Sequence, residues 1–268
     1  MAGSATVERG ARQEEPSGPP LVRRLGGPRR FRMMIIIGLA VLLLGGGTVW
    51  VLYGSPWTRV ERVAVSGTDV LTPDQVREAA AVPVGSALVS VDTGAIAARL
   101  RARLPRIGTV DVVRSWPHGI GLKVTERQPV LLIGKGSNFV EVDDKGVRFA
   151  TISRTPKNVP LLEMAVSASG SGGSGAASLR RFGEDRLVRE AVEVAGDIPD
   201  AVAQKARALK VRSYDDISLE LTDGRTVAWG SADQGALKAR TLGALMKASP
   251  AARHFDVSAP TAPASSGS

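Results

Sequence analysis

From Met33 to Tyr53 the chain carries no charged residue, reading MMIIIGLAVLLLGGGTVWVLY. A helix needs about 20 mostly apolar residues to cross the hydrocarbon core of a bilayer, and this single run supplies them. Arg23, Arg24, Arg29, Arg30 and Arg32 precede it with no acid among them, whereas Arg59 and Arg62 beyond it are interleaved with Glu61 and Asp69. Cytoplasmic flanks keep the excess of Lys and Arg, so the pattern predicts an N-terminus inside and the long remainder outside. Arg29, Arg30 and Arg32 then mark the inner interface. Trp50, Tyr53 and Trp57 mark the outer one, where amphipathic rings favour the headgroup layer. The competing reading is a cleaved secretory signal, whose apolar region spans about 7–15 residues and ends at a small-residue cleavage site. The longer run, the long segment before it and the following Gly54-Ser55-Pro56-Trp57 favour an uncleaved single-pass anchor.

Composition narrows what the outer part can be. The chain has no cysteine, which excludes disulfides, thiolate nucleophiles and Cys-ligated metals together. Its two histidines, His118 and His254, lie far apart in sequence, which argues against a His-rich metal site. The net charge of +9 is a weak pointer to nucleic acid, because the juxtamembrane arginines already have a partner in anionic lipid. Beyond the apolar run the charges are mixed, with no dense basic stretch and little aromatic interleaving. No nucleic-acid partner is expected.

Residues 1–32, rich in Gly, Pro, Ser and charge, read as a disordered cytoplasmic tail and 33–53 as the transmembrane helix. A first outer unit follows over 58–127. Val63 and Val65 suggest a short strand ending at Ser66-Gly67. Thr72-Pro73-Asp74-Gln75 opens a helix with Thr as N-cap, Pro at the first helical position and Gln closing a capping box. A second helix starts near Asp92, with Ile96, Leu100 and Leu104 on one stripe, and Pro105 ends it. Val110, Val112, Arg114 and Trp116 share one face of a strand, and Ile120, Leu122 and Val124 one face of the next. Pro117-His118-Gly119 makes them a hairpin.

From 128 to 258 the pattern is strand-rich. Strands are predicted at 130–133, 139–142, 147–150, 209–212, 217–221 and 226–229, the last two joined by the Asp223-Gly224 hairpin signal. Residues 167–178, SASGSGGSGAAS, read as a flexible insertion. A helix from about Gly183 turns Leu187, Ala191, Val194 and Ile198 inward, and a shorter one reaches about Lys205. Ser231-x-x-Gln234 is read as the cap of a last helix with Leu237, Leu242, Leu245 and Met246 inward and Lys238, Arg240 and Lys247 outward. His254–Ser258 forms a final strand, and 259–268 a disordered polar tail. The predicted fold class is α+β.

No catalytic constellation rises above background. Gly45-Gly46-Gly47 lies inside the apolar run, and Gly134-Lys135-Gly136 lacks the spacing of a phosphate loop. There is no G-x-S-x-G elbow, and neither histidine is placed beside a serine nucleophile. Asp143-Asp144 and Asp215-Asp216 are accounted for by turn formation. No cofactor and no metal are called for. The remaining candidate is a strand edge, since an unpaired edge is a template for a partner's strand. Whether His254–Ser258 is such an edge or is paired inside its own sheet stays open from pattern alone.

Certain motifs resemble a known family. Leu104-Pro105, Val110, Val112, Arg114-Ser115-Trp116-Pro117 and Val124-x-Glu126-Arg127-x-Pro129-Val130 are similar to the POTRA segment of bacterial FtsQ/DivIB cell-division proteins. Val142-Asp143-x-x-Gly146-x-x-Phe149, Val159-Pro160-Leu161, Leu219-x-Leu221-x-Asp223-Gly224, Trp229-Gly230, Lys238 and Phe255-Asp256-Val257 resemble its β domain. The resemblance covers roughly residues 33–258 and implies a single-pass, outward-facing divisome scaffold without catalysis, concentrated at the septum. It implies an FtsB/DivIC-like and an FtsL-like partner, bound partly by strand addition at Thr226, Val227, Ala228 and Trp229 with Phe255, Asp256 and Val257. The 167–178 insertion and the tail after Ser258, which lacks the aromatic residues some members carry there, depart from the family pattern. A membrane-anchored cell-envelope hydrolase and a transport-associated POTRA module are the alternatives. The second expects tandem POTRA units or a following barrel.

Overall fold

The computed structural model describes residues 28–164 and 183–267. The tail up to residue 27 and the predicted insertion at 167–178 lie outside the described residues. Two units separate at Ser55/Pro56, and each is described by itself. The first carries α1, Pro28–Tyr53, whose stretch from Arg29 is long and apolar enough to cross a membrane and is not buried against protein. The helix starts earlier than the apolar run, so Arg29, Arg30 and Arg32 belong to its first turns rather than to a disordered tail ending at 32. Nothing in their spacing breaks a helix, and Pro28 suits its first position.

The second unit holds two sheets with separate cores. The smaller is built from β1 (Arg62–Ser66), α2 (Pro73–Ala80), α3 (Thr93–Arg103), β2 (Ile107–Ser115) and β3 (Gly119–Glu126), in the strand order β1-β3-β2. β1 runs parallel to β3 and β2 antiparallel to it, as the predicted strand, helix, helix, strand, strand order requires. The capping box at Thr72 is formed in both directions: Gln75 N donates to Thr72 Oγ1, and Thr72 N donates to Gln75 Oε1. Asp92 caps α3 by accepting from Ala95 N. Ile96 and Leu100 from α3 meet Ile120, Leu122 and Val124 from β3 in one core. Truncating Leu100, fully buried, to Ala would cost about 2–5 kcal/mol. Gly67 has φ +80°, and a Cβ there would lie 2.1 Å from the Val124 carbonyl oxygen, so only glycine ends β1 in this way.

The shared face predicted for β2 stops short. Val110 is buried and Val112 half-buried, but Arg114 and Trp116 are exposed, Trp116 in the turn after the strand with a cis bond to Pro117. Arg114 instead reaches sideways to the Leu88 and Val91 carbonyls.

The larger sheet has nine strands in the order β12-β11-β10-β9-β8-β7-β4-β5-β6. Its strands are β4 (Leu131–Lys135), β5 (Asn138–Val142), β6 (Arg148–Ile152), β7 (Leu161–Met164), β8 (Ala206–Ser213), β9 (Asp216–Leu221), β10 (Thr226–Gly230), β11 (His254–Asp256) and β12 (Ala264–Ser266). Helices α4 (Glu184–Asp197), α5 (Asp200–Ala203) and α6 (Gly235–Ala248) lie between them in sequence. The predicted strands are present with small shifts at their ends. Two strands were not anticipated. β7 sits between β4 and β8 and runs parallel to both, joining the β4-β5-β6 and β8–β12 groups into one sheet. β12 falls in the segment 259–268 expected to be disordered.

The last helix departs from its reading in three ways. Gln234 occupies its N-cap in the left-handed region, and Ser231 Oγ bonds to Asp233 instead of capping the helix. Leu237 is exposed, and Lys238, expected outside, is buried. Lys238 and Leu242 stand four residues apart, so they share one face of the helix and turn inward together.

Candidate functional site

The end of the large sheet is built around a tight hairpin. Asp223 Oδ2 accepts from Arg225 Nε at 2.9 Å and its Oδ1 from Arg225 N at 3.2 Å, which closes the β9–β10 turn. The Arg225 side chain holds the Asp223 carboxyl below its usual range through that hydrogen bond. Arg225 then extends over the Phe255 ring, 6.0 Å from its centre. From Thr226 onward the strand alternates, with Val227 and Trp229 buried and Thr226 and Ala228 half-exposed. β11 pairs parallel to β10 with Thr226 opposite His254, Val227 opposite Phe255 and Ala228 opposite Asp256. Phe255 and the following Val257 are completely or almost completely buried.

The residues singled out from the sequence therefore come together, but they divide between two faces. Val227, Trp229, Phe255 and Val257 belong to the core with Leu219, Leu221 and Leu242. They do not form an exposed contact surface, as expected earlier, because period-two alternation points them at the helices. Thr226, Ala228, His254 and Asp256 line the outer face. There Thr226 Oγ1 and His254 Nδ1 are 2.7 Å apart, and Asp256 Oδ1 accepts from Ser258 N at 2.9 Å and Ser258 Oγ at 2.7 Å. Further in, Glu220 receives Lys210 at 2.7 Å and Arg207 at 3.2 Å, which lowers the Glu220 carboxyl and raises Lys210. Apart from Ala228 these outward side chains are polar, which fits a solvated surface that presents backbone at its rim.

β11 is paired on both sides. Beyond it β12 runs antiparallel, with His254 opposite Ser266, Phe255 opposite Ser265 and Asp256 opposite Ala264. Ala264, Ser265 and Ser266 offer no β-branched or aromatic residue, so no strand signal marked them.

Behind the strands, α6 is fixed by a buried lysine that sequence spacing misplaced. Lys238 Nζ donates to the Ser231 carbonyl at 2.8 Å. Burial pushes its ammonium below the usual lysine range, while Asp233, Glu190 and Asp197 oppose that shift. Glu190 from α4 accepts from Ala232 N at 3.0 Å in the same turn. Gly235 sits against the Asp197 carboxylate so closely that a Cβ would fall 1.7 Å from Oδ2. The β10–α6 turn, and with it the position of β11, is tied to α4 by these contacts. Among the described residues no group of three or more His, Cys, Asp and Glu side chains is placed to hold a metal.

The membrane-side candidates are placed as follows. Arg29, Arg30 and Arg32 are exposed in the first turns of α1, and Trp50 and Tyr53 are exposed in its last turn. Trp57 lies in a short 3-10 turn, Pro56–Thr58, at the start of the second unit.

Two family descriptions match this chain in tandem. One, the FtsQ-type POTRA domain, covers residues 58–127. The other, the C-terminal region of cell division protein FtsQ/DivIB, covers 132–257. The chain belongs to the FtsQ/DivIB family of cell-division proteins. It is 70% identical to cell division protein FtsQ of Streptomyces coelicolor over all 268 residues of both chains, and 68% identical to that of Streptomyces collinus over the same span. With the FtsQ of Streptomyces venezuelae it shares 60% identity over 244 residues, covering 90% of this chain and 88% of that one. Family membership carries a role in the divisome and accounts for an N-terminal helix of membrane-spanning length ahead of the two sheets.

Proposed function

We propose that this protein is a non-catalytic scaffold that gathers extracytoplasmic division proteins at the septum. Its helix α1 crosses the membrane once, with the arginine-rich N-terminus inside and both sheets outside. The FtsB/DivIC-like and FtsL-like partners bind at the β10–β11 end of the large sheet, partly by strand addition. The observation that carries this reading is the position of β11 near one extremity of the nine-strand order, covered only by a three-residue strand. Main-chain groups at such a rim supply affinity, and outward side chains such as His254 and Asp256 supply selectivity. Val227, Trp229, Phe255 and Val257 serve by holding the two strands flat against the core. Tethering in one membrane raises the effective concentration of binders, so a short strand contact is sufficient for assembly.

A photo-crosslinking residue at His254 or Asp256 tests the contact in the full-length protein. It should capture the FtsB/DivIC-like segment, whereas the same probe at Thr151 in β6, on the opposite rim, should not. Capture from β6 alone overturns the proposed edge. A reporter fused after Ser268 should be active only outside the cytoplasm, and cytoplasmic activity reverses the orientation.

A further inference from the structure

Residues 57–127 leave five large apolar side chains exposed, and three of these lie at one end of the small sheet. Trp57, Val84 and Trp116 are 82%, 66% and 52% exposed. The segment from Trp57 to Arg62 brings them together. Thr58 and Val60 are buried, while Trp57, Arg59, Glu61 and Arg62 are exposed. Val60 N donates to the Ser86 carbonyl at 2.9 Å, and Gly85 N to the Val60 carbonyl at 2.8 Å. Arg59 Nη1 adds a bond to the Gly85 carbonyl at 2.8 Å, so the loop that carries Val84 is fixed beside this segment. Glu61 N and Arg62 N donate to the His118 carbonyl at 2.9 and 3.3 Å, and the Arg62 guanidinium meets His118 Nε2. These bonds hold the Trp116-Pro117-His118 turn at the same end. Trp57 and Glu61 line one shallow hollow with Pro117 and His118, and those two residues also line a second with Arg62 and Trp116. Exposed apolar side chains gathered in this way mark a contact surface.

We propose that this end of the small sheet is a second membrane contact, which rests Trp57, Val84 and Trp116 in the outer phospholipid headgroup layer. The inference rests on α1 crossing the bilayer and extends the lipid-facing surface to residues far from α1 in sequence. The length of the connection argues for lipid as the occupant. Only Gly54, Ser55 and Pro56 separate Tyr53, the last residue of α1, from Trp57, a span of at most about 14 Å. Indole rings favour the headgroup layer, where their apolar body and polar edge are both accommodated. Arg59 and Arg62 outweigh Glu61 at this end, and basic residues held near a bilayer attract anionic headgroups. The other end of the sheet has no such cluster. Val70 is exposed there, and its amide is bound by Glu126 at the close of β3. The eight residues of β3 set the two ends roughly 20–25 Å apart. Three apolar side chains would hold a free protein to lipid only weakly. Here α1 confines the surface to the membrane, and the high effective concentration keeps a weak contact occupied.

The test uses the full-length protein in nanodiscs of mixed phosphatidylcholine and phosphatidylglycerol. The chain has no cysteine, so Val84→Cys, Ser115→Cys, Val70→Cys and Leu44→Cys can each carry a single nitroxide while all four tryptophans stay in place. Collisions with oxygen, which concentrates in lipid, are compared with collisions with a water-soluble nickel chelate. The oxygen-to-chelate ratio at 84 and 115 should exceed that at 70 severalfold, and at 44, inside α1, it should be highest. Replacing Trp57 and Trp116 together by Ser should lower the ratio at 84 to that at 70. A lipid-like ratio at 44 with water-like ratios at 84 and 115 overturns the second contact and leaves the anchor standing. Shielding of 84 and 115 from both reagents also overturns it, because a covering protein surface produces that result. An unchanged ratio at 84 after loss of both indoles overturns the assignment of the contact to these rings. A water-like ratio at 44 overturns the crossing by α1 itself, and the second contact with it.

Discussion

Arg127 and Asp143 form an ion pair that joins the end of β3 to the turn after β5, and so couples the small sheet to the large one. Asp143 is almost completely buried, and its Oδ1 also accepts from Val147 N at 2.7 Å and Lys145 N at 3.0 Å. A second buried pair, Arg106 with Glu141, lies beside it, and Arg106 stacks 5.2 Å above the Phe149 ring. Removing one partner of such a pair strands a buried charge. Arg127→Ala should therefore cost about 3 kcal/mol in denaturant unfolding, whereas Arg127→Ala combined with Asp143→Asn should cost less than the sum of the two single changes. Additive losses would mean that the two residues are not coupled.

The neighbouring Glu126 does a separate task on the other side of the same strand. Its carboxylate accepts from the amides of Asp69, Val70 and Leu71 at 2.8–3.2 Å, fixing the loop between β1 and α2. Glu126→Ala leaves these amides without a partner and should destabilise the fold by about 2 kcal/mol. Amide exchange at residues 69–71 should accelerate before any change at β9 or β10. Unaltered exchange there would show that another group holds the loop.

At the other end of the molecule, burial decides what a charge does. Phe255→Asp or Val257→Asp introduces an unpaired carboxylate beside Trp229 and Leu242, so either should unfold the large sheet or lower its melting temperature steeply. Neither can isolate partner binding. Asp256→Lys, on the exposed face, should leave melting within a degree or two and alter partner capture alone. A folded, stable Phe255→Asp protein would contradict the core placement.

Much of this architecture was legible in local chemistry. The Thr72 capping box, the Asp92 cap and the Asp223-Gly224 hairpin involve residues a few positions apart, and each formed as its spacing required. What escaped was set by distant partners. β7 reads as four unremarkable residues, and only the gap between β4 and β8 makes Leu161–Met164 a strand. Glu126, Arg127 and Asp143 stood in the motif that resembled the family, yet their ligands lie across the fold. The candidate residues lie side by side on β10 and at β11, but four of the seven side chains face inward, because one-residue alternation cannot be assigned a side until a core exists. Lys238 was misplaced because its charge was read as outward, although it stands four residues before the inward Leu242 and finds its partner in the Ser231 carbonyl.

That lysine gives a pH-dependent prediction with a definite sign. Burial lowers the Lys238 ammonium in the folded protein below its value in the unfolded chain. Between those two values the unfolded state holds more protons, so stability rises with pH. The penalty of the buried charge is fully present below the folded value and is relieved as pH climbs towards that of an unfolded lysine, about 10.4. Lys238→Met removes the titrating group while keeping much of the volume, at the loss of the bond to the Ser231 carbonyl. Whatever the offset between the two proteins near neutrality, wild type should gain on the variant as pH is raised on the alkaline side towards the value of an unfolded lysine. Denaturant unfolding of both from neutral to alkaline pH measures the difference directly. A constant offset would mean that Lys238 keeps an ordinary ammonium in the fold, and that water reaches it between α4 and α6.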